Sequence, residues 1–368
     1  MLQRLALGSH CGISLKKAFS PHALPTYPPP MCPLRPADNR TPTSGRLTTD
    51  AAAGRAGDSA VRVGAVQYLN TKPLVHGLAT AASASSPEAS RLALSYDLPS
   101  RLADRLTAGS LDVALIPIVE VFRGGWRVIT DVCIGCRGPV MSVKLFFRTA
   151  PQRVRRLALD EGSRTSAALS QVLLYERFGI RPEVEPLPIG SGPEATDADA
   201  VLLIGDRAIG PHGGPADRAR QTAGSPGSFQ LVWDLGDEWC RWTGLPFVFA
   251  AWAARPGVST ATLEPQLTAA RDRGVANLAA IAAAEAPRHG LTVPQCLSYL
   301  HDNLHYHIGP AEQEAMQRFR QLTGSLGLLG TSKPQSHSPA SHSPASHSQH
   351  STQLPHNTRT KASPLNEE

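Results

Sequence analysis

Aromatic side chains are scarce in this chain, 5% of 368 residues, and methionine occurs only four times. No apolar run approaches the roughly 20 residues that cross a bilayer, so no membrane span is expected. The N-terminus, MLQRLALGSHCGISLKK, has only the short LALG run, broken by Ser9 and His10, and makes a poor secretory signal. Cys11 follows Gly8-Ser9-His10, which is not the small-residue setting of a lipoprotein acylation site. A cytoplasmic protein with a dispensable arm, or a start codon placed too early, is the expectation.

Cysteine is sparse as well. Six in a chain of this length do not form a disulfide framework. Cys133 and Cys136 make one C-x-x-C, in DVCIGCRGPV, and a structural zinc site usually takes four ligands. No second pair exists. Nor does this one open a helix as a thioredoxin-type motif would, since it lies between two strands. No metal site is expected.

Net charge is +6, but +4 of it belongs to residues 1–60 and +1 to residues 331–368. The centre is close to neutral, so the basic balance is weak support for a nucleic-acid partner, and no nucleic-acid module appears. The same two ends lack apolar periodicity. Residues 1–60 carry HALPTYPPPMCPLRP and TPTSGRLTT, and residues 329–368 carry SHSPASHSPASHS. Such compositions cannot bury enough apolar surface to offset chain entropy, so both ends are expected to be disordered. The remaining length is enough for two lobes.

Val61–Leu78, VRVGAVQYLNTKPLVHGL, is the stretch around which the chain is organised. Val61, Val63 and Ala65 alternate with Arg62 and Gly64 as in a strand, and Gln67, Tyr68, Asn70, Thr71 and Lys72 cluster at its C-terminal end. Pro73 then predicts the first turn of a helix. In an open α/β sheet, a ligand binds outside the carboxyl ends of the strands, and a helix N-terminus suits an anion. An ordinary β–α turn capped by Asn or Thr accounts for the same residues.

The pattern continues with a strand at RLALSY and a helix opened by Pro99, with Leu102 and Leu106 on its inner face. The unbroken LDVALIP reads as a buried parallel strand, and WRVITDV as another. GPVMSVKLFFRT reads as a long strand leading between lobes, on which Ser142 either faces a cleft or bonds to neighbouring backbone.

A second α/β unit comes next. The strand VRRLALD leads to a helix in which Ser163 is a good N-cap, with Arg164, Thr165 and Ser166 in the first turn. Capping explains Ser163 alone; the cluster of four suggests an anion seat. ADAVLLIGDRAI is a buried strand that puts Asp206 at the expected cleft edge, and PFVFAAWAA is a second crossing. Thr260–Leu322 reads as helical throughout. His301 and His305 stand four apart there, but a solvated helix face accounts for them better than a metal pair.

Together, YLNTKPL, the LIP after LDVA, GPVMSVKLF, SRTS and DEWCRWTGLPFVFAAW resemble, in the same order, the chorismate dehydratases of the futalosine route to menaquinone. The resemblance spans about Val61–Ala254 and runs more loosely to Leu322. It implies a two-lobed α/β fold of the type II periplasmic-binding-protein kind with a C-terminal helical segment. Lobe 1 would hold residues 61–147 and lobe 2 residues 148–247, with residues 248–328 returning to lobe 1. It also implies a hydro-lyase acting on chorismate, a small dicarboxylate, with no metal or organic cofactor.

The family pattern makes Asn70 and Ser142 the expected catalytic residues. Tyr68, Thr71, Ser163, Arg164, Thr165, Ser166 and Asp206 are expected at the substrate. No His or Glu stands out as general base, so the substrate's own side-chain carboxylate is expected to take the proton. Cys136 stands where the family pattern leads us to expect a small polar residue such as Ser. Two other readings share the fold: a solute-binding receptor for a small carboxylate, and the related dihydroxynaphthoate-forming enzyme, whose elbow is rich in Ser, Pro, Cys and Asp.

Overall fold

The computed structural model describes residues 60–78, 92–209 and 229–330. The expected arm before residue 60, the loops at 79–90 and 212–228, and the tail beyond residue 330 lie outside them. No described helix is long and apolar enough to cross a membrane.

Two sheets form the frame. The first opens with β1 (Val61–Val66), β2 (Leu92–Asp97), β3 (Val113–Pro117) and β4 (Arg127–Cys136). The second holds β5 (Val143–Phe147), β6 (Arg156–Asp160), β7 (Glu183–Leu187), β8 (Ala200–Ile204) and β9 (Leu231–Asp234). The chain then returns to the first sheet with β10 (Phe247–Ala254) and β11 (His305–His307). Strand order is β11-β4-β10-β3-β1-β2 in the first sheet and β7-β6-β8-β5-β9 in the second.

Apolar runs took the central positions. All residues of β3, β8 and β10 are buried, as their unbroken hydrophobic composition requires. The sheets are mixed rather than parallel: β1, β2 and β3 run parallel, whereas β10 runs antiparallel to both β3 and β4. In the second sheet, β6 is parallel to β7 and β8, while β5 is antiparallel to β8 and β9. Both β5 and β10 enter directly from the other lobe, which gives them the opposite direction.

The first crossing therefore lies at residues 137–142, between β4 and β5, and Val143–Phe147 belongs to the second sheet rather than to lobe 1. The long strand expected from Gly138 is cut short because Met141 takes φ 60°. The second crossing, residues 244–246, joins α4 (Leu235–Thr243) to β10. Earlier helices are α1 (Pro99–Thr107), α2 (Ile118–Gly124) and α3 (Arg164–Phe178); α1 buries Leu102 and Leu106 fully.

The C-terminal segment comprises α5 (Leu263–Ala276), α6 (Leu278–Glu285), α7 (Val293–Ser298), a π-helical turn (Tyr299–Asn303) and α8 (Pro310–Ser325). It is not helical throughout. His305–His307 leaves the helical run and pairs with β4, so His301 and His305 share no helix face. The few aromatic residues are concentrated at the second crossing. Trp239 and Phe247 lie 5.1 Å apart, Phe247 and Phe319 5.0 Å, and Trp239 and Phe319 5.8 Å. These edge contacts lock α4 and β10 against α8.

Candidate active site

A cavity lies between the two lobes beside the first crossing. Lobe 1 lines it with Val66, Tyr68 and Asn70 from the elbow, the helix-opening Pro99 and Pro117, and Phe249 from β10. From the second lobe come Ser163, Thr165 and Ser166 at the head of α3, with Ile204 and Gly205 beyond β8. Val140 and Ser142 of the first crossing complete the wall.

The elbow differs from the expected α-helix. Leu69–Val75 is a 3₁₀ helix with Pro73 inside it, begun by the Thr71 N–H donating to the Tyr68 carbonyl at 3.1 Å. It is held from outside by α5. A Cβ on Gly274 would stand 1.9 Å from the Pro73 carbonyl oxygen, so only glycine lets that backbone approach. Asn70 is fixed within this turn, and its amide oxygen accepts from Thr71 Oγ1 at 3.2 Å. Thr71 itself is buried and does not line the cavity.

Tyr68 reaches across to the second lobe. Its ring lies against Gly205, where φ is +67° and a Cβ would meet the ring at 3.0 Å. Burial, then the nearby Asp160 charge, pushes the phenol up to about 12.

Ser142 is delivered by a tight turn instead of a strand. Its N–H donates to the Val140 carbonyl at 2.7 Å, closing a three-residue turn around the positive-φ Met141. Turns of that kind are rare and strained, and strain of this sort gathers at functional sites. The Ser142 carbonyl accepts from Gly205 N at 2.8 Å, which ties the turn to the end of β8.

At the head of α3, Ser163 accepts from Ser166 N at 3.3 Å, as an N-cap does, and its hydroxyl donates to Ser166 Oγ at 2.7 Å. Thr165 does more than line the cavity. Its hydroxyl donates to the Phe249 carbonyl at 3.0 Å and accepts from Val119 N at 3.3 Å, so it bridges to β10 and to the head of α2.

Arg164 and Asp206, like Thr71, lie outside the lining. Arg164 pairs with Asp104 at 2.8 Å and Glu120 at 3.6 Å, holding the lobes together along one rim. Asp206 approaches His289 Nδ1 at 3.0 Å along another, and burial pushes its carboxyl up. The arrangement of Cys136 is also distinct from a cavity contact. It is fully buried, the neighbouring Cys240 of α4 pushes its thiol up, and it is not among the lining residues described. Sequence reasoning missed the part played in the cavity wall by Pro99, which opens α1, and by Pro117, the last residue of β3.

No Asp, Glu, His, Lys or Arg is among the lining residues described. The wall presents hydroxyls, one amide, apolar side chains and the N-termini of α1, α2 and α3. It can hold carboxylates by dipoles and hydrogen bonds, and can offer donors to a departing oxygen.

Two lobes joined by two crossings around a shared cavity define a type II periplasmic-binding-protein fold. A solved protein of Archaeoglobus fulgidus is similar, with a TM-score of 0.57 and 16% identity over 74% of this chain and all of that one. The periplasmic aliphatic sulphonate binding protein of Escherichia coli has a TM-score of 0.48 at 17% identity, over 82% of this chain and 98% of that one.

Residues 61–325 match the family described as menaquinone biosynthesis. The chain is also 32% identical over 269 residues to the chorismate dehydratase of Thermus thermophilus, covering 71% of this chain and 94% of that relative. It belongs to this menaquinone-biosynthesis family.

Proposed function

We propose that this protein is a hydro-lyase that dehydrates chorismate to 3-[(1-carboxyvinyl)oxy]benzoate. The observation that carries the reading is a cavity shared by Asn70, Ser142, Tyr68 and the hydroxyl cluster of α3, with no ionisable carboxylate, imidazole or amine among the described lining residues. Chorismate brings two carboxylates of its own. The helix N-termini facing the cavity seat the ring carboxylate, and Asn70 orients the side-chain one.

The side-chain carboxylate takes the proton from the ring carbon that bears the ether. The neighbouring carbon loses its hydroxyl, which leaves as water, and the ring becomes aromatic. Aromatisation drives the step, so the protein's task is to position and polarise. Asn70 holds the accepting carboxylate, Ser142 donates toward the departing oxygen, and Tyr68 closes the far side of the cavity.

The test is to mix purified protein with chorismate and follow a new aromatic product by mass and ultraviolet spectrum. Asn70→Ala is expected to lower turnover by about 10²–10³-fold, the usual cost of losing a preorganised donor. Near wild-type turnover in that variant would overturn the role of Asn70. Chorismate recovered unchanged from the wild-type protein would point to a receptor.

A further inference from the structure

The first crossing is held by different lobes at its two ends. Arg137, where the chain leaves β4, donates from Nε to Glu312 Oε1 of α8 at 3.0 Å, and Glu312 is only 1% exposed. Two residues on, the carbonyl of the exposed Pro139 accepts from Asn303 Nδ2 at 2.9 Å. Asn303 closes the π-helical turn, a distortion frequent at functional sites. Both partners belong to the C-terminal segment that returns to lobe 1. From Val140 onward the partners lie in the second lobe: Val140 N and Met141 N donate to Asp234, and the Ser142 carbonyl accepts from Gly205 N.

The change of partner falls within one peptide unit. The carbonyl of the Pro139–Val140 peptide is held by Asn303, and its N–H by Asp234. As the cavity stands it leaves about 50 Å³, room for a few waters at roughly 10–15 Å³ each. A ring bearing two carboxylates therefore enters only when the lobes part, and one of the two holds on this peptide then gives way. The Asn303 bond is single, neutral and at the surface. Asp234 instead makes charge-assisted bonds to two successive N–H groups, each roughly twice as strong as a neutral one. The weaker hold is lost first. Ser142 thus travels with the second lobe, while Asn70 stays with the elbow of lobe 1.

We infer that the first crossing bends at the Pro139–Val140 peptide and that Asn303 is a positioning residue for the dehydration, re-forming its bond to the Pro139 carbonyl on closure and so setting Ser142 against a substrate held by Asn70. The inference rests on the chorismate dehydratase reading. Asn303 is not among the lining residues described and acts only through the crossing.

Steady-state kinetics on Asn303→Ala test it. The kcat should fall by about 3–10-fold, the worth of one neutral hydrogen bond, with KM within about twofold because bound substrate itself draws the lobes together. In a Ser142→Ala background the same change should cost nothing further, as expected of a residue that acts through Ser142. Asn303→Asp, which turns a carboxylate oxygen toward the Pro139 carbonyl, should lose at least as much. His301→Ala, an exposed change on the same turn, should keep the wild-type kcat.

A wild-type kcat in both Asn303 variants overturns the inference. So does a full additional loss in the Ser142→Ala background, or an equal loss in His301→Ala, since either would make the effect a general disturbance of the turn. A wild type active on chorismate with unaffected Asn303 variants removes this inference alone. A wild type silent on chorismate removes the reading beneath it, and this inference with it.

Discussion

Asp234 accepts the Met141 N–H at 2.7 Å, and Met141 is the only non-glycine residue with positive φ among those described. The same carboxylate accepts from Val140 N at 2.9 Å, Gly236 N at 3.0 Å and Asp237 N at 3.2 Å. One side chain therefore pins the strained turn before Ser142 and caps α4. Replacing Asp234 by Ala should lower stability by about 2–3 kcal/mol, through the lost cap and the stranded buried N–H groups. Urea unfolding measures this. Asn should recover only part of the loss, because both carboxylate oxygens accept N–H groups and an amide nitrogen cannot. Ala with wild-type stability would show that the turn holds without its anchor.

Thr165→Val removes the hydroxyl that joins α3 to Val119 N and the Phe249 carbonyl while keeping the side chain's shape. The closed arrangement should weaken by about 1–3 kcal/mol, the cost of leaving buried polar groups unpaired. Expected readouts are a larger radius of gyration in solution scattering and a higher KM for chorismate. If neither changes, the lobes do not depend on this contact.

For Tyr68 the pH dependence has a definite sign. An ordinary phenol titrates near pH ~10, whereas burial and the Asp160 charge push this one up to about 12. Between those values the unfolded chain has lost the proton that the folded chain keeps. The folded state binds more protons, so stability falls as pH rises through this window. Tyr68→Phe should have a shallower alkaline decline than wild type, measured by unfolding at successive pH values. Identical slopes would contradict the burial of this hydroxyl.

The described thiols should differ in reactivity. Burial, together with the Glu312 charge, pushes Cys133 up, and burial raises Cys296 to about 11. The hydrogen bond to Cys240 and burial push Cys136 up, while that same bond holds Cys240 down. Because the thiolate is the nucleophile, native-state alkylation mapped by mass should label Cys240 first. Cys133 and Cys136 should react only on unfolding. Labelling of Cys133 as fast as Cys240 would refute this order.

The two-lobed plan was legible because β3, β8 and β10 are continuous apolar runs, which only a buried central strand requires. Ser163 was legible as an N-cap, and Asn70 stood out in a polar elbow after a strand. Other features depend on distant contacts. Nothing local marks Leu69–Val75 as 3₁₀ rather than α, since the close approach of Gly274 constrains it. Ser142 looked like a strand residue because β-propensity over Val143–Phe147 is high, and the turn before it depends on Asp234, far along the chain. His305 looked helical because its neighbours are, yet its strand is made by pairing with β4. Arg164 belonged to a cluster suited to an anion, but its charge is used against Asp104 and Glu120.

Among the described lining residues, which offer hydroxyls, one amide and helix ends, no group exchanges protons near neutrality, since Tyr68 titrates only far into alkali. Under the proposed dehydration the acid–base step is then carried by the bound molecule, and the rate is expected to stay flat wherever both of its carboxylates remain ionised. On this view the protein acts as a fixed medium, with dipoles already arranged where water would first have to reorient.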